Sequence, residues 1–150
     1  RPRMHSLFGA KNDVGLSSFL SGSTAENVVR KVADEDIFFI PSGPIPPAPA
    51  ELLGSAKMKE FVKTLGEKFD FILLDSPPVQ SVTDSLVLSQ YADGTIIVVR
   101  SGKTTREELD SGMKKLHDVR ARFMGFVLNG MKSQDMGKSY YGYSTYYAKD

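Results

Sequence analysis

Four short stretches of the chain are apolar without alternating with polar residues. Ile37-Phe38-Phe39-Ile40 is closed by Pro41-Ser42-Gly43, and Phe71-Ile72-Leu73-Leu74 by Asp75-Ser76-Pro77-Pro78. Thr95-Ile96-Ile97-Val98-Val99 is closed by Arg100-Ser101-Gly102, and residues 123–128 by Asn129-Gly130. Unbroken runs of this length suit strands covered on both faces, as in a parallel sheet. Helical spacing fills the gaps. Over residues 49–66, Met58, Phe61, Val62 and Leu65 recur at i, i+3, i+4 and i+7, behind a proline suited to the first helical position. Over residues 105–122, Leu109, Met113 and Leu116 keep the same spacing. Thr104 with Glu107, or Thr105 with Glu108, offers a capping box at its start. A shorter helix is predicted over residues 83–90. Strand–helix–strand alternation predicts an α/β domain, mostly a parallel sheet with flanking helices and right-handed crossovers.

Two stretches break this rhythm. Residues 1–34 read as short helices and loops around Leu7-Phe8 and Leu16 to Leu20. Residues 131–150 lose all apolar periodicity and become Gly, Ser, Lys and Tyr, so the chain divides into 1–130 and a tail, 131–150. No internal repeat is present.

Composition narrows the function classes. With 150 residues, 41% hydrophobic and 25% charged, the chain has the make-up of an ordinary globular domain. A formal net charge of +1 gives no global electrostatic case for nucleic acid or an anionic membrane surface. The absence of cysteine removes disulfide scaffolds, thiolate zinc sites and thiol nucleophiles together. No apolar run approaches the roughly 18–20 residues of a membrane span. His5 and His117 have no metal-ligand spacing and read as surface or boundary residues.

In open parallel sheets ligands bind at the carboxyl ends of the strands, so the residues that close each apolar run carry the candidate chemistry. Asp75 is the sharpest. Four apolar residues followed by an acid describe a Walker B strand, whose carboxylate orients the water shell of a nucleotide-bound Mg²⁺. The same pattern also describes a strand ending at an Asx-type turn. Asn129 carries both a donor and an acceptor and can read an adenine edge, or it can simply open an Asn-Gly turn. Arg100 and Lys103 fall at the same sheet edge. Gly102-Lys103-Thr104 imitates a phosphate loop, but the required upstream glycine falls on Ile97, inside a strand, so a capped helix start is expected instead. Five of the six tyrosines crowd into the tail: Tyr140, Tyr141, Tyr143, Tyr146 and Tyr147. They form either a low-complexity tail or a set of phosphoacceptors, each gaining roughly −1.5 to −2 charges when modified.

Taken together, these pieces resemble the bacterial tyrosine kinases of capsular and exopolysaccharide biosynthesis. Arg1-Pro2-Arg3-Met4-His5-Ser6-Leu7-Phe8-Gly9 is similar to the stretch after that family's second Walker-type motif. Residues 15–22 resemble its Gly-Leu-…-Leu-x-Gly segment. Gly43-Pro44-Ile45-Pro46-Pro47-Ala48-Pro49-Ala50-Glu51-Leu52-Leu53 and Phe69-Asp70-Phe71-Ile72-Leu73-Leu74-Asp75-Ser76-Pro77-Pro78 are its specific blocks, and Val127-Leu128-Asn129 and the tyrosine cluster support them. The resemblance implies a P-loop NTPase fold of the deviant-Walker type and the use of ATP with Mg²⁺. It implies Asp75 as the Walker B catalytic and metal-holding residue and Asn129 as an adenine contact; Arg100, from its place at the same sheet edge, is the further cofactor-binding candidate. The resemblance further implies γ-phosphoryl transfer to tail tyrosines of a neighbouring subunit in a ring-like homo-oligomer. The implied partner is a membrane-embedded polysaccharide co-polymerase, and the implied location is the cytoplasmic face of the membrane.

The family's Walker A loop and the acids of its second Walker motif have no counterpart in residues 1–150. The chain is therefore expected to be the downstream portion of a larger kinase domain, incomplete at its N-terminus and inactive alone. Ala48 is a second departure, because a helix opening at Pro49 prefers Asn, Asp or Ser as its cap. Two other readings compete. One is a partitioning or septum-site ATPase switch, disfavoured by the tyrosine tail and the proline block. The other is a non-catalytic, tyrosine-rich phosphoacceptor module.

Overall fold

The computed structural model describes residues 4–24, 27–33 and 35–131. The tail over residues 132–150, with its five tyrosines, lies outside the described residues. In chain order the elements are α1 (Met4–Leu7), α2 (Leu16–Ser21), β1 (Arg30–Lys31), β2 (Phe38–Phe39), α3 (Pro49–Leu53), α4 (Ala56–Gly66), α5 (Asp84–Leu88), β3 (Thr95–Arg100), α6 (Arg106–Asp118) and β4 (Phe123–Asn129). No helix among the described residues is long and apolar enough to cross a membrane.

Strands β3 and β4 pair in parallel, from Thr95 opposite Phe123 to Arg100 opposite Asn129, with α6 as the crossover. The α6 start is set locally. Thr105 Oγ1 accepts from Glu108 N at 3.1 Å, and Glu108 Oε2 accepts from Thr105 N at 2.9 Å. Of the two candidate capping boxes, the structure uses this one. Thr104 is occupied elsewhere, its Oγ1 accepting from Arg100 N. Glu107 and Glu108 in the first turn, and Lys115 and His117 in the last, suit the helix dipole. At the far end Arg120 adopts φ 56°, and the amides of Arg120 and Ala121 return to His117 O and Leu116 O. That left-handed terminal residue is usually glycine.

The main core lies between the helices. Leu20 of α2, Met58 of α4 and Leu88 of α5 are buried together, Met58 to 1% exposure. Leu16, Phe19, Leu52, Val62, Leu74 and Tyr91 pack around them. Tyr91 Oη donates to Leu53 O at 2.8 Å, which satisfies the phenol at the core edge.

The proline block is tied to α2. Leu16 N and Ser17 N, two of the donors a helix start leaves unpaired, give hydrogen bonds to Pro41 O and Ser42 O at 2.8 and 2.9 Å. Asn12 completes the tie, its Nδ2 donating to Gly43 O and its Oδ1 accepting from Gly43 N, both at 2.9 Å. This approach requires glycine at position 15, where a Cβ would overlap Pro41 O and Gly43 N.

The structure corrects several sequence-based expectations. Residues 71–74 do not form a strand: the backbone has no ladder partner among the described residues, and Phe71 and Leu73 are 90% and 93% exposed. A strand is defined by pairing, and an apolar run without a neighbouring strand stays unpaired. The run at 37–40 contributes only Phe38–Phe39, which pairs antiparallel with Arg30–Lys31 and lies outside the parallel sheet. Cover on both faces is also absent among the described residues, since Ile96, Val98, Met124 and Leu128 are exposed. The helix predicted over residues 49–66 is two helices. Gly54 ends α3, and Ser55 caps α4 by accepting from Met58 N at 3.2 Å. Ala48 provides no side-chain cap, as its chemistry requires.

Gly15→Ala is expected to destabilise the chain by about 1–3 kcal/mol, the usual result of forcing a methyl group into packed backbone. Gly66→Ala, at the open end of α4, should instead stabilise it by up to about 1 kcal/mol. Urea titrations of the two variants against the parent check both signs. Replacing Phe71 and Leu73 together with serine should lower binding of a hydrophobic dye and change stability by no more than about 0.5 kcal/mol per site, because neither side chain is buried.

Candidate functional site

Parallel pairing brings the carboxyl ends of β3 and β4 side by side. Arg100 and Asn129 are cross-strand partners, and Ser101 N donates to Asn129 O at 2.8 Å. Both side chains are exposed at this edge. Gly130 follows in the left-handed region at φ 73°.

The Gly-Lys-Thr sequence beside it is no phosphate cradle. Lys103 N and Thr104 N both donate to Arg100 O, at 3.1 and 2.9 Å. Arg100 N donates to Thr104 Oγ1 at 3.0 Å. A phosphate loop needs its amides turned toward the ligand, and these are consumed within the turn. The capped helix start expected from the sequence is what forms.

Asp75 ends the unpaired apolar segment with an exposed carboxylate. The Asx-turn alternative fails on chemistry. Such a turn needs a backbone N–H two residues on, and position 77 is proline. The segment is nevertheless held on both sides. Leu74 packs against the buried core cluster. Beyond Pro77-Pro78, Val79 and Gln80 lie on α6. Lys115 Nζ donates to Gln80 Oε1 at 3.0 Å and to Val79 O at 3.3 Å, and Gln80 Nε2 donates to Glu108 O at 2.6 Å. Asp75 shares no hydrogen bond or ion pair with Arg100 or Asn129 among the described residues. The three are related through α6, whose first turn follows Arg100 and carries Glu108.

One bare carboxylate suits a Mg²⁺ ion that keeps most of its waters and takes its other ligands from nucleotide phosphates. It does not suit a metal caged by protein alone, and no group of three acidic or histidine side chains comes together among the described residues. His117 is 92% exposed and His5 half-buried, in line with their reading as surface or boundary residues.

Gln80, Ser111 and Lys115 were not legible as site residues, because their meeting is tertiary. One signal did exist. Gly112 interrupts the middle of a helix, where glycine costs about 1 kcal/mol against alanine and implies a close approach. A Cβ there would lie 3.0 Å from Val79 Cγ1.

No protein-family model matches the chain. Curated relatives do. It is 36% identical over 144 residues to the tyrosine-protein kinase YwqD of Bacillus subtilis, covering 95% of this chain and 61% of that protein. It is 30% identical over 143 residues to the tyrosine-protein kinase wzc of Salmonella typhimurium, covering 95% of this chain and 20% of that one. The kinase domain of the Escherichia coli tyrosine kinase ETK superposes with a TM-score of 0.85 at 29% identity, over 89% of this chain and 53% of that one. The chimerical protein CapA2B2 superposes with a TM-score of 0.83 at 33% identity, over 89% and 59%. The chain spans less than two thirds of each of these proteins. By sequence and by fold, this α/β chain is similar to a part of the bacterial tyrosine kinases, including a part of a solved kinase domain.

Proposed function

We propose that these 150 residues are the C-terminal part of a protein-tyrosine autokinase of the deviant-Walker P-loop type. It uses ATP with Mg²⁺ and modifies the tyrosines of its own tail. The observation that carries this reading is Asp75. Its carboxylate is exposed and closes an apolar run, on a loop fastened at both ends. Asp75 would orient the Mg²⁺ waters, and Asn129 and Arg100 would form the adenine-side edge. Tyr140, Tyr141, Tyr143, Tyr146 and Tyr147 would accept phosphate from a neighbouring subunit in a ring-like homo-oligomer. The work of such an enzyme would be regulation of polysaccharide polymerisation and export. It would act beside a membrane-embedded co-polymerase, at the cytoplasmic face of the membrane.

Phosphoryl transfer depends mainly on positioning and charge stabilisation around the phosphates. No glycine-rich cradle occurs in residues 1–150, so the chain alone is expected to be inactive and residues 1–130 to need upstream sequence. Successive phosphates on neighbouring tyrosines would repel one another and release the tail from the adjacent subunit.

Incubation of the longer protein with Mg-ATP, followed by mass spectrometry, tests the proposal. Phosphate is expected on residues 140–147, and Asp75→Asn should abolish it. Phosphorylation of Tyr91 alone, or ATP hydrolysis without phosphotyrosine, rejects the autokinase. Tail phosphorylation only by an added kinase would leave the chain a phosphoacceptor module. A single assembly state by light scattering before and after phosphorylation would remove the release step.

A further inference from the structure

We infer that Lys115 and Gln80 are positioning residues for Asp75, so that helix α6 sets where the carboxylate meets a nucleotide-bound magnesium ion. The inference rests on the reading of Asp75 just proposed.

The link from Asp75 to α6 is short and stiff. Ser76 and Pro77 each precede a proline, which confines them to extended or polyproline conformations. The two proline rings fix their own φ near −65°. Pro78 O then accepts from Ser81 N at 2.9 Å, and the chain turns onto the helix. A displacement at Val79 is therefore carried back to Asp75 rather than absorbed between them. On the other side Leu74 is packed into the core, so the carboxylate hangs between two anchors.

The downstream anchor is built from one face of α6. Glu108, Ser111, Gly112 and Lys115 recur at i, i+3, i+4 and i+7, and each meets residues 79–80. Lys115 Nζ spends its donors on Gln80 Oε1 at 3.0 Å, Val79 O at 3.3 Å and Gln80 O at 3.5 Å. Gln80 Oε1 also accepts from Ser111 Oγ at 3.3 Å, while Gln80 Nε2 donates to Glu108 O at 2.6 Å. Gly112, buried and without a side chain, lets Val79 sit directly on the helix. Lys115 makes no ion pair among the described residues, so its ammonium is committed to carbonyl oxygens of this segment.

The experiment uses the longer protein loaded with ADP and titrated with Mg²⁺ by calorimetry, alongside amide hydrogen exchange over residues 76–81. Lys115→Met keeps the methylenes and removes the donors. It should weaken Mg²⁺ binding about 10-fold, the lower end of what supporting groups around metal ligands contribute. It should also speed exchange at the Ser81 amide and leave ADP affinity without Mg²⁺ unchanged. Lys115→Arg should restore most of the Mg²⁺ affinity. Gln80→Ala, at an exposed position, should repeat the loss and covers the case in which Lys115→Met fails to fold. Parental Mg²⁺ affinity and parental exchange in both Gln80→Ala and a folded Lys115→Met overturn the inference. Asp75→Asn separates the two levels. If it too leaves Mg²⁺ affinity unchanged, the reading of Asp75 falls and the inference with it. If it abolishes Mg²⁺ dependence while the α6 variants do not, only the inference falls.

Discussion

Two parallel strands cannot be joined by a tight turn, and in this chain the joining element is α6. Its thirteen residues return the chain from the end of β3 to the start of β4. Everything at the candidate site depends on that crossover. It sets Arg100 beside Asn129, and it starts six residues after Arg100. One face of it carries the donors and the gap that hold residues 79–80. The capping box at Thr105 and Glu108 matters more here than in a peripheral helix, because fraying at that end would loosen both strand ends and the Gln80 anchor together.

The second organising tie lies in the N-terminal half, where the proline block acts as a cap for another element. Pro41 and Ser42 lend their carbonyls to the start of α2, and Asn12 clips the strand-exit loop in place. Prolines then stiffen the path toward α3, leaving Ile45 on the surface. A short helix that has no side-chain cap of its own thus gains backbone acceptors from 25 residues away in the chain.

What could be read from the residues follows the range of the interaction. The Thr105 cap, the α6 periodicity and the false phosphate loop are decided within a few residues, and reading them needs nothing else. The break at Gly54-Ser55 was equally local, but the strong apolar spacing from Met58 to Leu65 masks it. Residues 71–74 could not be placed from their own composition, because a strand exists only with a partner and the partner is non-local. Arg100 and Asn129 were legible as strand ends, and Asp75 as the acid behind an apolar run. The Lys115–Gln80 contact was not, since it joins residues 35 apart through surfaces that no periodicity brings into register.

Gly112 has a dynamic consequence. Glycine at mid-helix lowers the local cost of opening the backbone, so α6, continuous from Arg106 to Asp118, would open more readily at Gly112 than an alanine there would allow. The halves on either side of it hold different ends of the same anchor, Glu108 on one and Lys115 on the other. Brief opening at Gly112 would slacken the anchor without unfolding either half. The residue that permits the close approach of Val79 therefore also limits how long that approach persists, and the lifetime of the contact becomes a property of the helix interior rather than of its ends.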